Sequence, residues 1–288
     1  MSPGPAPGAD PYRWQGDGPA GYSGQVEIID AHVHFDDPRF DGRRRGLWEE
    51  ARNVGVRAMV VPGVATPDWP RTRTVCALFP SCHPCYGIHP WHVRQHAERE
   101  LALLEEWVAR ERPVAVGECG LDRLRPAFER QVELFRAQIA LARAHALPLV
   151  IHAVRALDEV IAELRRGGHH EGMVHAFAGS REQARRLLDL GFALSFGGAV
   201  TRERNTRVRG VAAWAPDDAI LVETDAPDLP PEGRRGELNR PAWITGVLAT
   251  LALLRDGTVE ALAHRTAGNA RRLFRLDARD HSSRGSSL

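Results

Sequence analysis

Two histidines, His32 and His34, end the apolar run VEIIDAHVHF (26–35). On a strand, residues two apart point to one face, so both imidazoles are placed to hold one ion with bonds of about 2.0–2.1 Å. Later apolar runs end in the same chemistry: Glu118 in VGECGLD, His152 in LPLVIHA, His175 in GMVHAFAGS and Asp225 in ILVETDAP. That makes six N/O donors, too many for one tetrahedral ion with an open position. Six suit two ions about 3.5–4 Å apart that share a carboxylate and a solvent oxygen. Imidazole and carboxylate donors point to Zn, Mn, Mg, Fe or Co rather than to thiolate-seeking ions. The implied reaction is attack of a metal-activated hydroxide on phosphorus or on a carbonyl carbon.

All 38 basic residues are arginine, and no lysine is present. A Walker-type lysine, a Schiff base and a carbamoylated bridging lysine are therefore excluded. The bridge between two ions falls to a carboxylate, and Glu118 is the natural one. Asp225 is expected to bind one ion and to accept a proton from the attacking water. His89, in GIHPWH, is expected to contact the leaving group or a phosphate. Asp30 and Glu223 each precede a ligand by two residues; each reads as an orienting partner or as a plain strand-end acceptor. Arg123, Arg125, Arg155, Arg202 and Arg204 follow strand runs and are able to meet phosphate. Trp91 and Phe177 are placed to stack on a base. Arg155, Arg123 and Trp91 are taken as the substrate contacts. His92, His96, His169 and His170 read as solvated.

Something must bring these residues together. Short β-branched runs at 26–35, 57–63, 84–90, 113–122, 147–153, 172–180, 192–198 and 219–227 alternate with helical patterns. The helical patterns lie at 97–111, 126–146, 158–166, 241–255 and 258–274. Such alternation argues for a parallel sheet in an α/β protein. Eight units predict a single-domain (β/α)8 TIM-type barrel, with a doubly wound open sheet as the alternative. In a barrel, residues at the C-terminal strand ends meet on one face, and that is where the donors fall.

The chain has 288 residues, 43% of them hydrophobic, and a net charge of +1. That length suits one barrel, and the balanced charge gives no strong overall pull on nucleic acid. Residues 25–276 are assigned to the barrel. The Pro/Gly-rich residues 1–24 and the stretch 277–288 read as flexible extensions. No apolar run reaches about 18 residues, and the start of the chain lacks a signal pattern. The expectation is a cytoplasmic protein without a membrane contact or an obligate protein partner. Cys82 and Cys85 form a lone CxxC, read as structural.

The segments IIDAHVHF, YGIHPWH, VGECGLD, LPLVIHA, GMVHAFAGS, ALSFGG, ILVETDAPDLPP and TAGNARRLF, in this order, resemble the TatD-like hydrolases of the amidohydrolase superfamily. They run from about residue 28 to 274, nearly the whole ordered chain. The resemblance implies a metal-dependent (β/α)8 barrel, and places His32, His34, Glu118, His152, His175 and Asp225 on the family's ligand positions. Several members are described as deoxyribonucleases, so DNA or another phosphodiester is the expected substrate. A small amide, ester or lactone is the alternative. Two positions depart from the family pattern: Val154 stands where an arginine is frequent, and Arg240 where a glutamate is.

Overall fold

The computed structural model describes residues 26–95 and 98–276; of residues 94, 95 and 98 only the backbone is described. The extensions expected at 1–24 and 277–288, and His96, lie outside the described residues. Strands that are mostly buried along their length need a packing layer on each side. Such strands are β1 (Ile28–Asp30), β2 (Val56–Gly63), β3 (Cys82–Tyr86), β4 (Val116–Asp122), β5 (Leu149–Val154), β6 (Gly172–Val174), β7 (Phe192–Phe196) and β8 (Ile220–Val222). Nine described helices accompany them: α1 (Arg44–Asn53), α2 (Trp69–Leu78), α3 (Glu98–Glu111), α4 (Phe128–Ala144), α5 (Leu157–Gly167), α6 (Arg181–Asp189), α7 (Thr206–Trp214), α8 (Ile244–Leu254) and α9 (Val259–Phe274).

The eight strands are parallel and lie in chain order, β1 beside β2 and so on to β8. The ring closes just past the last strand. Ala31 N donates to Val222 O, Asp225 N to His32 O and His34 N to Ala226 O, each at 2.9 Å. This sequential, closed order is the (β/α)8 barrel and excludes the doubly wound sheet, whose strand order would reverse. Strand alternation divides the core. Met59, Val61, Leu149, Ile151 and Val222 pack outward against the helices. Ala58, Val60, Val150, Met173 and Leu221 fill the interior, which continues to Ala267, Ala270 and Phe274 of α9.

The helices are specified locally. Helix α5 buries Leu157, Val160, Ile161 and Leu164 on one face and stops at Gly168 in a left-handed conformation. Ser180 and Gln183 form a reciprocal capping box at the start of α6. The CxxC is divided by the strand. Cys82 packs with the outer layer and Cys85 with the interior, so the two thiols face opposite ways.

A buried carboxylate on the wall, paired with two exposed arginines, gives a pH-dependent expectation. Glu163 of α5 accepts from Arg136 Nε at 2.6 Å and Nη2 at 2.8 Å, and Arg166 Nη1 lies 2.6 Å from both its oxygens. Those guanidiniums hold its carboxyl below the usual 4.5. Its contribution is therefore full above about that pH and is lost as acid carries it through the lowered value. Glu163→Gln is expected to lose about 1 kcal/mol near neutrality. Urea unfolding should show the gap to wild type closing as the pH is taken well below 4.5; a gap that persists in acid would assign the loss to packing.

Candidate metal centre

The regular part of β1 ends at Asp30, so His32 and His34 lie beyond the strand on which they were expected. They converge because the barrel seam continues through them, in the hydrogen bonds to β8 and its loop described above. Apart from β2, the other strands are also shorter than the apolar runs. His89 lies three residues beyond β3, while His175 directly follows β6 and Asp225 lies beyond β8. His175 is still fixed by its N–H bond to Ile151 O at 3.0 Å.

Glu118 needs a special device. In β4 three steps, Val116 to Cys119, face two steps in β5, Leu149 to Ile151. One extra residue of this kind re-aims a strand. It turns Glu118 inward while Val116, Cys119 and Leu121 remain in the outer layer. The neighbouring backbones crowd both flanking glycines. A Cβ on Gly117 would lie 2.5 Å from Val150 O, and one on Gly120 2.1 Å from His152 O. Both also have φ above +130°, a region that disfavours side chains.

The two oxygens of Glu118 face two different groups. Oε2 lies 3.3 Å from His32 Nε2 and 3.6 Å from His34 Nε2, and Asp225 Oδ1 lies 3.5 Å from each of those nitrogens. Oε1 lies 2.9 Å from His175 Nε2 and 3.1 Å from His152 Nδ1, which are themselves 3.2 Å apart. Tetrahedral donors around an ion with bonds near 2.0–2.1 Å stand about 3.3 Å from each other. Both groups match that edge. His32 Nε2 and Glu118 Oε2 are buried with no hydrogen-bond partner among the described residues. Buried polar atoms left unmatched in this way fit ligands. All six expected donors are therefore brought together, and they fit divalent ions.

The remaining ring nitrogens show how the imidazoles are held. His175 Nδ1 stands 3.6 Å from Glu223 Oε1, and His152 Nε2 stands 3.5 Å from Asp122 Oδ2. Each carboxylate favours the N–H on its own side and leaves the other nitrogen facing Glu118. Glu223 is itself fixed by Ala176 N at 2.6 Å; Ala176 and Asp225 are both non-glycine residues with positive φ. Such conformations gather at functional sites. Asp30 accepts from His32 N, Thr224 N and Thr224 Oγ1, and burial pushes its carboxyl up to about 8.

His89 differs. Its Nδ1 accepts from Trp91 N at 3.1 Å, and burial lowers its pKa to about 4. It is therefore neutral with its proton on Nε2, which points at Glu118 Oε1 at 3.1 Å. This makes His89 a donor rather than a ligand. Around Glu118 burial alone would raise the pKa, but His175, His89 and His32 outweigh it and hold the carboxyl well below its usual value.

Several expectations shift. Arg123 turns to α5, where it pairs with Glu159 (Nε at 3.0 Å) and lies over Phe128 at 4.2 Å; its charge is used there and not at the donors. Phe177 is 1% exposed and packs on Phe196, so it offers no face to a base. His169 is buried against Phe192 rather than solvated. Arg240 stacks on Trp243 and pairs with Glu50 at 3.1 Å, which accounts for that departure as a wall contact. Arg155, with φ +50° just past β5, is exposed and makes no ion pair among the described residues. Trp91 stands at the rim, its Nε1 bonded to Asp122 Oδ2 at 2.7 Å.

Sequence reasoning missed two residues that set the rim. Gln131 Oε1 accepts from Asp122 N at 2.8 Å and its Nε2 donates to Asp122 O at 3.1 Å. Gln138 does the same to Ile88, at 2.7 and 3.1 Å. The two lie seven residues apart, on one face of α4, and clamp the loop that carries His89 and the end of β4 at Asp122. Their shared face with Leu134 and Phe135 on α4 was the available signal.

A closed barrel with buried imidazoles and carboxylates gathered at its C-terminal rim defines a metal-dependent hydrolase. The TatD related DNase family model matches residues 29–275, and the chain belongs to that family. The uncharacterised metal-dependent hydrolase YjjV of Escherichia coli (strain K12) is 35% identical over 255 residues, 86% of this chain and 98% of its own. The crystal structure of YjjV superposes with a TM-score of 0.83, at 34% identity over 86% of this chain and 98% of that one. YabD of Bacillus subtilis (strain 168), also an uncharacterised metal-dependent hydrolase, is 35% identical over 87% of this chain and 100% of its own. A protein of Erwinia billingiae (strain Eb661) named 3'-5' ssDNA/RNA exonuclease TatD is 30% identical over 87% of this chain and 100% of its own.

Proposed function

We propose that this protein hydrolyses phosphodiester bonds in single-stranded nucleic acid, and that two donor groups joined at Glu118 would hold the divalent ions it needs. The observation that carries this reading is the division of the Glu118 carboxylate between two donor groups, Oε2 toward His32 and His34, which Asp225 also faces, and Oε1 toward His152 and His175. Paired ions suit the in-line displacement of a phosphodiester, where attacking and leaving oxygens both gain charge. The relative from Erwinia billingiae, whose name specifies ssDNA and RNA, supports the same substrate. Arg155 supplies a guanidinium with no carboxylate partner among the described residues, suited to bidentate phosphate contact.

Bound ions supply Lewis acidity, which brings water toward the nucleophilic form near neutral pH and offsets charge on phosphate oxygens. The residues do the rest. Asp225, raised by burial, accepts the proton of the attacking water. His89 donates its Nε2 proton to an oxygen of the phosphate or leaving group. Glu223 and Asp122 keep the imidazoles of His175 and His152 turned toward Glu118. The test is an assay of protein reconstituted with Zn, Mn, Mg or Co on end-labelled single-stranded DNA, bis(p-nitrophenyl) phosphate and a panel of amides and lactones. Metal-dependent cleavage of the first two is expected. Turnover of amides or lactones with none of either phosphodiester would overturn the reading.

A further inference from the structure

Trp91 is 53% exposed at the mouth of a site whose other large aromatic residues are buried. Its position is fixed. The indole N–H bonds to Asp122 Oδ2, the oxygen that also faces His152 Nε2. Its ring centroid lies 5.3 Å from that of His89 and 6.3 Å from that of His152. On this ring, 3.9 Å from its centroid, lies the guanidinium of Arg125. Arg125 is exposed and makes no ion pair among the described residues. Other arginines near the strand ends are paired: Arg123 on the same loop with Glu159, and, after β1, Arg39 with Asp37 and Asp228 and Arg44 with Asp41.

We infer that Arg125, held on the face of Trp91, is a second phosphate-binding position, which takes the phosphate next to the one at the paired donor groups. This rests on the nucleic-acid reading above and specifies it: the site accepts a chain of phosphodiesters in preference to an isolated one. A guanidinium stacked on an aromatic ring keeps its N–H edge open for bidentate contact with phosphate. Stacking also limits the freedom lost when the anion binds. The nearby carboxylate of Asp122 does not oppose this, since it is 2% exposed and accepts from Trp91 and Leu124 N. Arg155 and Arg125 stand on adjacent loops, after β5 and β4, and flank the edge where Asp122 pairs with Val154 in register. Two unneutralised cations on adjacent loops match the repeated charge of a nucleic-acid backbone.

The experiment compares wild type with Arg125→Gln, Trp91→Ala and Trp91→Phe, all as full-length metal-loaded protein. The substrates are a labelled hexathymidylate and bis(p-nitrophenyl) phosphate. In Arg125→Gln the ratio of kcat/KM for the oligonucleotide to that for the small ester should fall about tenfold, carried by KM. The salt slope of oligonucleotide binding should drop by about 0.7, one contact's worth for a single strand. Trp91→Ala should change the ratio in the same direction, and Trp91→Phe, which retains a ring, should change it less. An unchanged ratio in Arg125→Gln would overturn the inference. Binding of a hydrolysis-resistant phosphorothioate hexathymidylate, followed by fluorescence anisotropy, separates it from the functional reading. If wild type cleaves no phosphodiester, the function fails, while the subsite stands only if Arg125→Gln still weakens this binding.

Discussion

Glu118→Gln is expected to lower kcat/KM on single-stranded DNA at least about a thousandfold, some 4 kcal/mol in the transition state. The substitution keeps the volume and one carbonyl oxygen. It removes the charge that two donor groups share, 3.3 Å from His32 on one side and 2.9 Å from His175 on the other. With glutamine there, five imidazoles and Asp225 are left without a central anion. Bound metal, measured by atomic emission, should fall well below the wild-type content. Near-wild-type turnover with full metal content would show that Glu118 is not the bridge.

Gly120→Ala should produce the largest loss of stability among single methyl additions to this barrel. The new Cβ would lie 2.1 Å from His152 O, and the backbone at Gly120 has φ +134°. Neither strand can yield without breaking the β4–β5 ladder that pairs Gly120 with His152. A loss of about 4 kcal/mol, a fall of roughly 10 °C in Tm, is expected. The shift would displace His152 and so weaken metal retention as well. Gly210 of α7 provides the control, since a Cβ there meets nothing within 4 Å. Gly210→Ala should gain up to about 1 kcal/mol from helix propensity. Calorimetry on the pair therefore separates backbone crowding from a general effect of adding a methyl group; equal responses would refute the crowding account.

The barrel and its donors were readable in the sequence for one physical reason. Burying imidazoles and carboxylates is unfavourable unless something binds them, so a series of apolar runs ending in His, Glu or Asp has few explanations. His152 and His175 show this directly: each follows an apolar run and meets Glu118 in the structure. The limits of the strands were less readable. Hydrophobic runs continue through His34 and His89, although regular pairing stops at Asp30 and Tyr86. Apolarity reports burial and does not distinguish a strand from a buried loop. The inward turn of Glu118 was hidden because strict alternation would place it with Val116, on the outer face; the extra residue is visible only in the pairing. Gln131 and Gln138 resemble ordinary polar positions of a helix until their backbone partners are seen. The pairing of Arg123 with Glu159, and the stacking of Arg125 on Trp91, depend on side-chain directions that spacing does not encode.

The seam of the barrel bears on how the protein matures. Asp225 N bonds His32 O, and His34 N bonds Ala226 O, so the joint between first and last strands passes through the ligand residues themselves. Nearly the whole domain separates these partners along the chain, and contacts of such range form late. During synthesis, an emerging chain that has released His32, Glu118 and His175 still lacks both Asp225 and the bonds that set His32 and His34. The complete donor set thus arises only once the final strand has docked. Competence to hold metal in this barrel is therefore a report that the last strand has met the first.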